Sequence, residues 1–120
     1  MHRPMHFEYH STDTAKTQKF FENAFGWKFQ RWEGPMEYTL VSTGDGAGID
    51  GGLMPTRDGN QRTVNTIEVK NVDDACKTIE KHGGQVVVPK MAIPGVGYLA
   101  YGVDPTGVLF GVMHADEKAQ

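Results

Sequence analysis

Apolar and polar residues alternate through MHFEYH, residues 5 to 10, with Met5, Phe7 and Tyr9 on one parity and His6, Glu8 and His10 on the other. Successive side chains of a strand point to opposite faces, so the pattern predicts a half-buried strand. The period then lengthens. STDTAKTQKFFENAFGW offers Ser11, Thr12 and Asp13 as N-cap candidates, sets Thr17, Phe20, Phe21 and Ala24 at helical spacing, and ends with Gly26 as a C-terminal cap. KFQRW (28–32), EYTLVS (37–42) and GIDGGLM (48–54) read as three strands, the last two joined by TGDG. Beyond the polar link PTRDGNQR (55–62) the order returns as TVNTIEV (63–69), a helix over 72–81, QVVVP (85–89), GYLAYGV (97–103) and VLFGVMH (108–114). DPTG joins the last two with Pro105 second and Gly107 fourth, which suits a type I turn.

The two halves are related. An offset of 58 lays NVDDACKTIEKHGGQV over DTAKTQKFFENAFGWK without a gap, so that Glu22 meets Glu80 and Gly26 meets Gly84. Near the ends an offset of 59 puts GLM (52–54) over GVM (111–113). The expectation is an α+β fold in which two βαβββ modules form a curved mixed-sheet saddle or half-barrel with the helices outside. One domain over 1–120 is expected, with module one about 4–54, the link 55–62 and module two about 63–114. Each helix must bury its apolar stripe on the sheet of its own module, which puts Phe7 and Tyr9 beneath the first helix. His6, Glu8 and His10 are thereby assigned to the concave, ligand-facing side. Cys76 shares the second stripe with Val72, Ala75 and Ile79 and reads as a small buried hydrophobe.

Composition removes several classes of partner. Charged residues are 22% of the chain and the net charge is -3, which gives neither the basic footprint of a nucleic-acid binder nor a disordered profile. No apolar run approaches the roughly 18 residues of a membrane span, and no signal-peptide layout opens the chain. The lone Cys76 cannot form an internal disulfide. A reduced, cytoplasmic protein with no nucleic-acid and no membrane partner is expected. GDGAG (44–48) lacks the GKS or GKT ending of a phosphate loop and precedes a strand.

HFEYHSTDTAKTQKFFENAFGWKF, GIDGGLMP, VDDACKTIEKHGGQVVVP and IPGVGYLAYGVDPTGVLFGVM together resemble the glyoxalase/bleomycin-resistance/extradiol-dioxygenase superfamily, also called vicinal oxygen chelate proteins. The resemblance spans almost the whole chain and implies the paired-module fold. It implies no single activity, because that superfamily holds metal-dependent lyases, epimerases, dioxygenases and transferases beside metal-free drug-sequestering proteins. Its metal members take one ligand from the first and last strand of each module, usually His, Gln or Glu. Carried over, these positions are His6, Gly52, Val64 and Gly111, so His6 is the only matching ligand. A catalytic metal needs about three protein donors, and Val and Gly supply none. At about 3.3 Å per residue, His6 and His10 lie about 13 Å apart along a strand, whereas His6 and Glu8 at about 7 Å can converge. A rebuilt site would then need Asp50 or Glu68. No metal or other cofactor is expected, with a divalent metal as the alternative.

The leading expectation is a metal-free small-molecule-binding protein, its ligand held between the two sheets by His6, Glu8, Met54, Tyr98 and Met113. Met54 and Met113 share the face of Gly52 and Gly111, and flexible thioethers beside missing side chains make an apolar, roomy surface. The alternative is a lyase, isomerase or dioxygenase-type enzyme in which His6 and Glu8 anchor a metal or transfer a proton. Against the acid/base pair stands plain hydrogen bonding to neighbouring strands, with His10 solvated at the strand end. A third reading is an antibiotic-sequestering resistance protein. A homodimer is implied by the resemblance. Trp32, Tyr38 and Met91 are candidate walls or lid, and IPGVG (93–97) a rim loop.

Overall fold

The structure, a computed structural model, describes all 120 residues. In chain order its elements are β1 (Pro4–Ser11), α1 (Thr14–Phe25), β2 (Lys28–Arg31), β3 (Thr39–Ser42), β4 (Gly51–Pro55), β5 (Arg62–Glu68), α2 (Val72–Lys81), β6 (Gln85–Ile93), β7 (Gly97–Val103) and β8 (Leu109–Ala115). The βαβββ order therefore occurs twice, in an α+β architecture. The chain divides into two compact units, Met5–Val64 and Met1–Pro4 with Asn65–Gln120.

In the first unit the strands lie in the order β2-β3-β4-β1, with β1 parallel to β4 and the other neighbours antiparallel. Asp13 starts α1 by accepting the Lys16 backbone N–H at 3.1 Å, and Gly26 ends it with a left-handed φ of 72°. Phe7, Val41 and Leu53 form the buried core, with Tyr9, Trp27 and Phe29 packed against them. The helix meets this core through Phe21, which stacks on Trp27 at 4.8 Å and on Tyr9 at 5.2 Å. Phe20, expected on the buried stripe, is 58% exposed, and no residue of α1 is fully buried. Trp27 fills the space instead. It lies one residue past the helix cap, where a helical period no longer reports on burial.

The second unit repeats the topology as β5-β8-β7-β6, with β5 parallel to β8. Asn71, 58 residues after Asp13, caps α2 by accepting the Asp74 N–H at 3.0 Å. The core joins Val69, Val72, Ala100 and Val112, and Ala75, Cys76 and Ile79 pack against it as the stripe predicts. Strand β6 runs past the expected end at Pro89. The proline falls in an irregular stretch between the pairs Val88–Tyr101 and Met91–Leu99, and β6 is an edge strand, where a missing N–H is tolerated. The DPTG turn closes with the Gly107 N–H donating to the Asp104 carbonyl at 3.0 Å. No helix is long and apolar enough to cross a membrane.

Candidate functional site

Strand β1 divides its side chains as its alternation requires. Phe7 and Tyr9 face α1, so His6, Glu8 and His10 take the opposite face. Residues paired across neighbouring strands share a face. Glu8 pairs with Gly52, His10 with Met54, and Gly52 with Leu40, so Gly52, Met54 and Leu40 join the β1 polar residues. Tyr38, two positions before Leu40, points the same way and brings its hydroxyl against Gly52, where a Cβ would overlap it.

That hydroxyl ties the site together. It donates to Glu8 Oε2 at 2.7 Å, and His6 Nε2 lies 2.9 Å from it. The other Glu8 oxygen, Oε1, is 2.7 Å from His10 Nε2. Glu8 and His10 are 2% and 6% exposed, so this is a buried carboxylate held by short polar contacts. His10 is thus not solvated at the strand end, as one sequence reading had it. It is the inner partner of Glu8. Burial pushes the half-buried His6 imidazole below its ordinary pKa, while the negative charges of Glu8 and Asp50 pull it part of the way back.

The positions that the resemblance marks as ligands, and the acids that could replace them, have these surroundings. Nowhere in the chain do three His, Cys, Asp or Glu side chains gather with the spacing of a metal centre. Both Glu8 oxygens are engaged by Tyr38 and His10. Gly52 offers no donor, and its space holds the Tyr38 hydroxyl. Asp50, a candidate third ligand, is exposed and accepts the Thr43 N–H at 2.9 Å. Glu68, the other, lies in the second unit, where its backbone pairs with His2 and Arg3. Val64 is fully buried, and Gly111 backs onto Thr66 and Leu99.

Of the expected lining residues, His6, Glu8 and Met54 come together on one face of the first unit, with Met54 buried at 4% exposure. Met113 pairs with Leu99 and Glu68 on the face of β8 opposite the Val112 core. Tyr98 does not belong with it. It packs against the α2 core, 5.3 Å from the His114 ring and with Lys90 Nζ 5.0 Å from its own centroid. Leu99 and the buried Tyr101 hold the other parity of β7. Both faces of β7 are apolar, so alternation could not choose between Tyr98 and Tyr101. His114 is structural, accepting the Val72 N–H at 2.9 Å. Tyr38, read from the sequence only as a wall, is the residue the sequence reasoning undervalued. The available signal was a glycine at a ligand position with an aromatic residue on the adjoining strand.

Two βαβββ modules, each with a parallel pair between its first and last strands, give the chain the paired-module fold of vicinal oxygen chelate proteins. Residues 3–44 match the bleomycin resistance protein-like N-terminal family, in keeping with the resemblance to the glyoxalase/bleomycin-resistance/extradiol-dioxygenase superfamily. CFP32 of Mycobacterium tuberculosis, whose glyoxylase assignment is provisional, is 28% identical over 114 residues covering 88% of this chain. The same alignment covers 43% of CFP32, so the chain spans less than half the length of that relative. Among solved structures, a hypothetical protein from Bacillus halodurans superposes with a TM-score of 0.73 at 14% identity, over 98% of this chain and 97% of the other. The methylmalonyl-CoA epimerase of M. tuberculosis gives 0.71 at 13%, over 93% and 87%. The Mn(II)-bound glyoxalase of Novosphingobium aromaticivorans gives 0.66 at 19%, over 95% and 38%. At these identities the likeness is one of fold.

Proposed function

We propose that the chain binds a small molecule on the face of β1, β3 and β4 that carries His6, and that it does so without a bound metal. The observation supporting this reading is the Tyr38 hydroxyl, seated on Gly52 and bonded to His6 and Glu8 where metal-binding relatives would project a ligand. His6, half-buried at the end of the hydrogen-bonded chain, meets the polar part of the ligand. Leu40, 43% exposed on the same face, and Trp32, whose ring lies edge-on to Tyr38 at 6.3 Å, meet the apolar part. The test is an NMR titration of chelator-treated protein with methylmalonyl-CoA and with bleomycin, the two chemistries suggested by the structural neighbours and the matched family. Saturable shifts around His6, Tyr38 and Leu40 with either probe, lost in His6→Ala, support the reading. A response that requires Mn²⁺, or one located elsewhere, contradicts it.

A second reading is favoured by the run of hydrogen bonds from a His6 held neutral by burial to the buried Glu8 carboxylate. Such an array suits His6 to accept a proton from carbon beside a carbonyl, with Glu8 stabilising the resulting imidazolium through Tyr38. Deuterium from D₂O would then enter methylmalonyl-CoA in the presence of chelator, and His6→Ala would lose the exchange. Absence of exchange by the wild-type protein would leave binding without chemistry.

A further inference from the structure

We infer that Tyr38 is a positioning residue that fixes the tautomer of His6, so that the imidazole offers Nδ1 as an acceptor to a hydrogen-bond donor on the ligand. The inference follows from counting protons. A phenol has one, and the Tyr38 hydroxyl gives it to Glu8 Oε2 at 2.7 Å. Its oxygen is then an acceptor toward His6, so the hydrogen at the 2.9 Å contact must come from His6 Nε2. A neutral imidazole carries one ring hydrogen, and with Nε2 protonated Nδ1 keeps its lone pair. The inner end of the chain agrees with this direction. Glu8 Oε1 lies 2.7 Å from His10 Nε2, a short contact suited to a carboxylate accepting from an N–H. Every proton in the array therefore points toward Glu8.

Two further observations make the outer nitrogen a recognition point. No protein donor reaches His6 Nδ1, and no buried side-chain nitrogen or oxygen in the chain lacks a partner, so Nδ1 lies on the solvent side of the ring. The phenol is also held in place, because Gly52 leaves just the space that the Tyr38 hydroxyl fills. The charges that act on the His6 ring are those of Glu8 and Asp50, both negative. The matching group is a hydroxyl, amide N–H, ammonium or polarised C–H, whereas a carboxylate or phosphate oxygen would meet a lone pair in a negative field. This ligand preference rests on the small-molecule reading above; the tautomer does not.

The test is a long-range ¹H–¹⁵N correlation spectrum of the labelled protein at pH 8, where histidine tautomers are read directly and no ligand is needed. Wild-type His6 is expected to show Nε2 as the protonated, pyrrole-type nitrogen and Nδ1 as the pyridine-type one. In Tyr38→Phe both should move toward the values of a tautomer mixture, a change that loss of packing alone would not produce. A wild-type His6 protonated mainly on Nδ1 overturns the inference, as does an unchanged tautomer in a folded Tyr38→Phe. If that variant does not fold, the wild-type spectrum decides. Acetamide and acetate, added in turn at equal concentration, test the ligand class. A larger Nδ1 shift with acetamide supports a donor site, and equal responses, including none from either, overturn the donor preference without touching the tautomer.

Discussion

Tyr38, Gly52 and His10 decide the character of the site, and each has a measurable consequence. Because a methyl group at position 52 would overlap the Tyr38 hydroxyl, Gly52→Ala should lower stability by about 1–3 kcal/mol in urea denaturation. Gly52→Ala combined with Tyr38→Ala should lose less than the sum of the single changes, since removing the ring removes the collision. His10→Ala withdraws a donor from a carboxylate that is 2% exposed, and should cost about 3–5 kcal/mol. His6 sets a pH dependence. Its folded pKa lies below the unfolded value, so the unfolded chain binds the proton more readily. The contribution of His6 is therefore complete above about pH 6.5 and declines as pH falls below it. Stability curves of wild type and His6→Gln should run parallel at alkaline pH and differ in slope in this acidic window. His6 and Glu8 were legible in the sequence because a two-residue period sorts a strand's faces. Tyr38 was not, because its meeting with Glu8 depends on the register of β3 on β4 and β4 on β1, which no local period records.

At the level of elements, the capped helices and paired strands were readable from local chemistry. Asp13 and Asn71 are acceptors at equivalent places in the two modules, and Asp13→Ala should cost about 1 kcal/mol in a thermal or urea melt. Helix α1 departs from its pattern. With Phe20 58% exposed and Leu53 1% exposed, Phe20→Ala should be close to neutral while Leu53→Ala should cost about 2–5 kcal/mol. Equal losses in the two variants would mean that α1 packs through Phe20 after all. The extension of β6 through Pro89 and the facing of Tyr98 toward α2 escaped the sequence for one reason. Edge position and burial on both sides are properties of the assembled sheet, and they override the proline rule and the alternation rule respectively.

For the whole molecule, the repeated βαβββ order and its repeated strand topology were carried by the 58-residue offset and the glycine-rich segments. The paired-module fold follows from them, whereas the chemistry does not, since structural neighbours of the same fold include an Mn(II)-bound glyoxalase and methylmalonyl-CoA epimerases. In this chain the Tyr38 hydroxyl fills the space at Gly52 and bonds to His6 and Glu8, and the proposal of metal-free binding rests on that. The most direct measurement is calorimetric titration of Mn²⁺ into chelator-treated protein, with His6→Ala alongside. The wild-type protein should give no saturable heat, and the two titrations should be indistinguishable. One-to-one Mn²⁺ binding that disappears in His6→Ala would contradict the assignment of Tyr38 to that place.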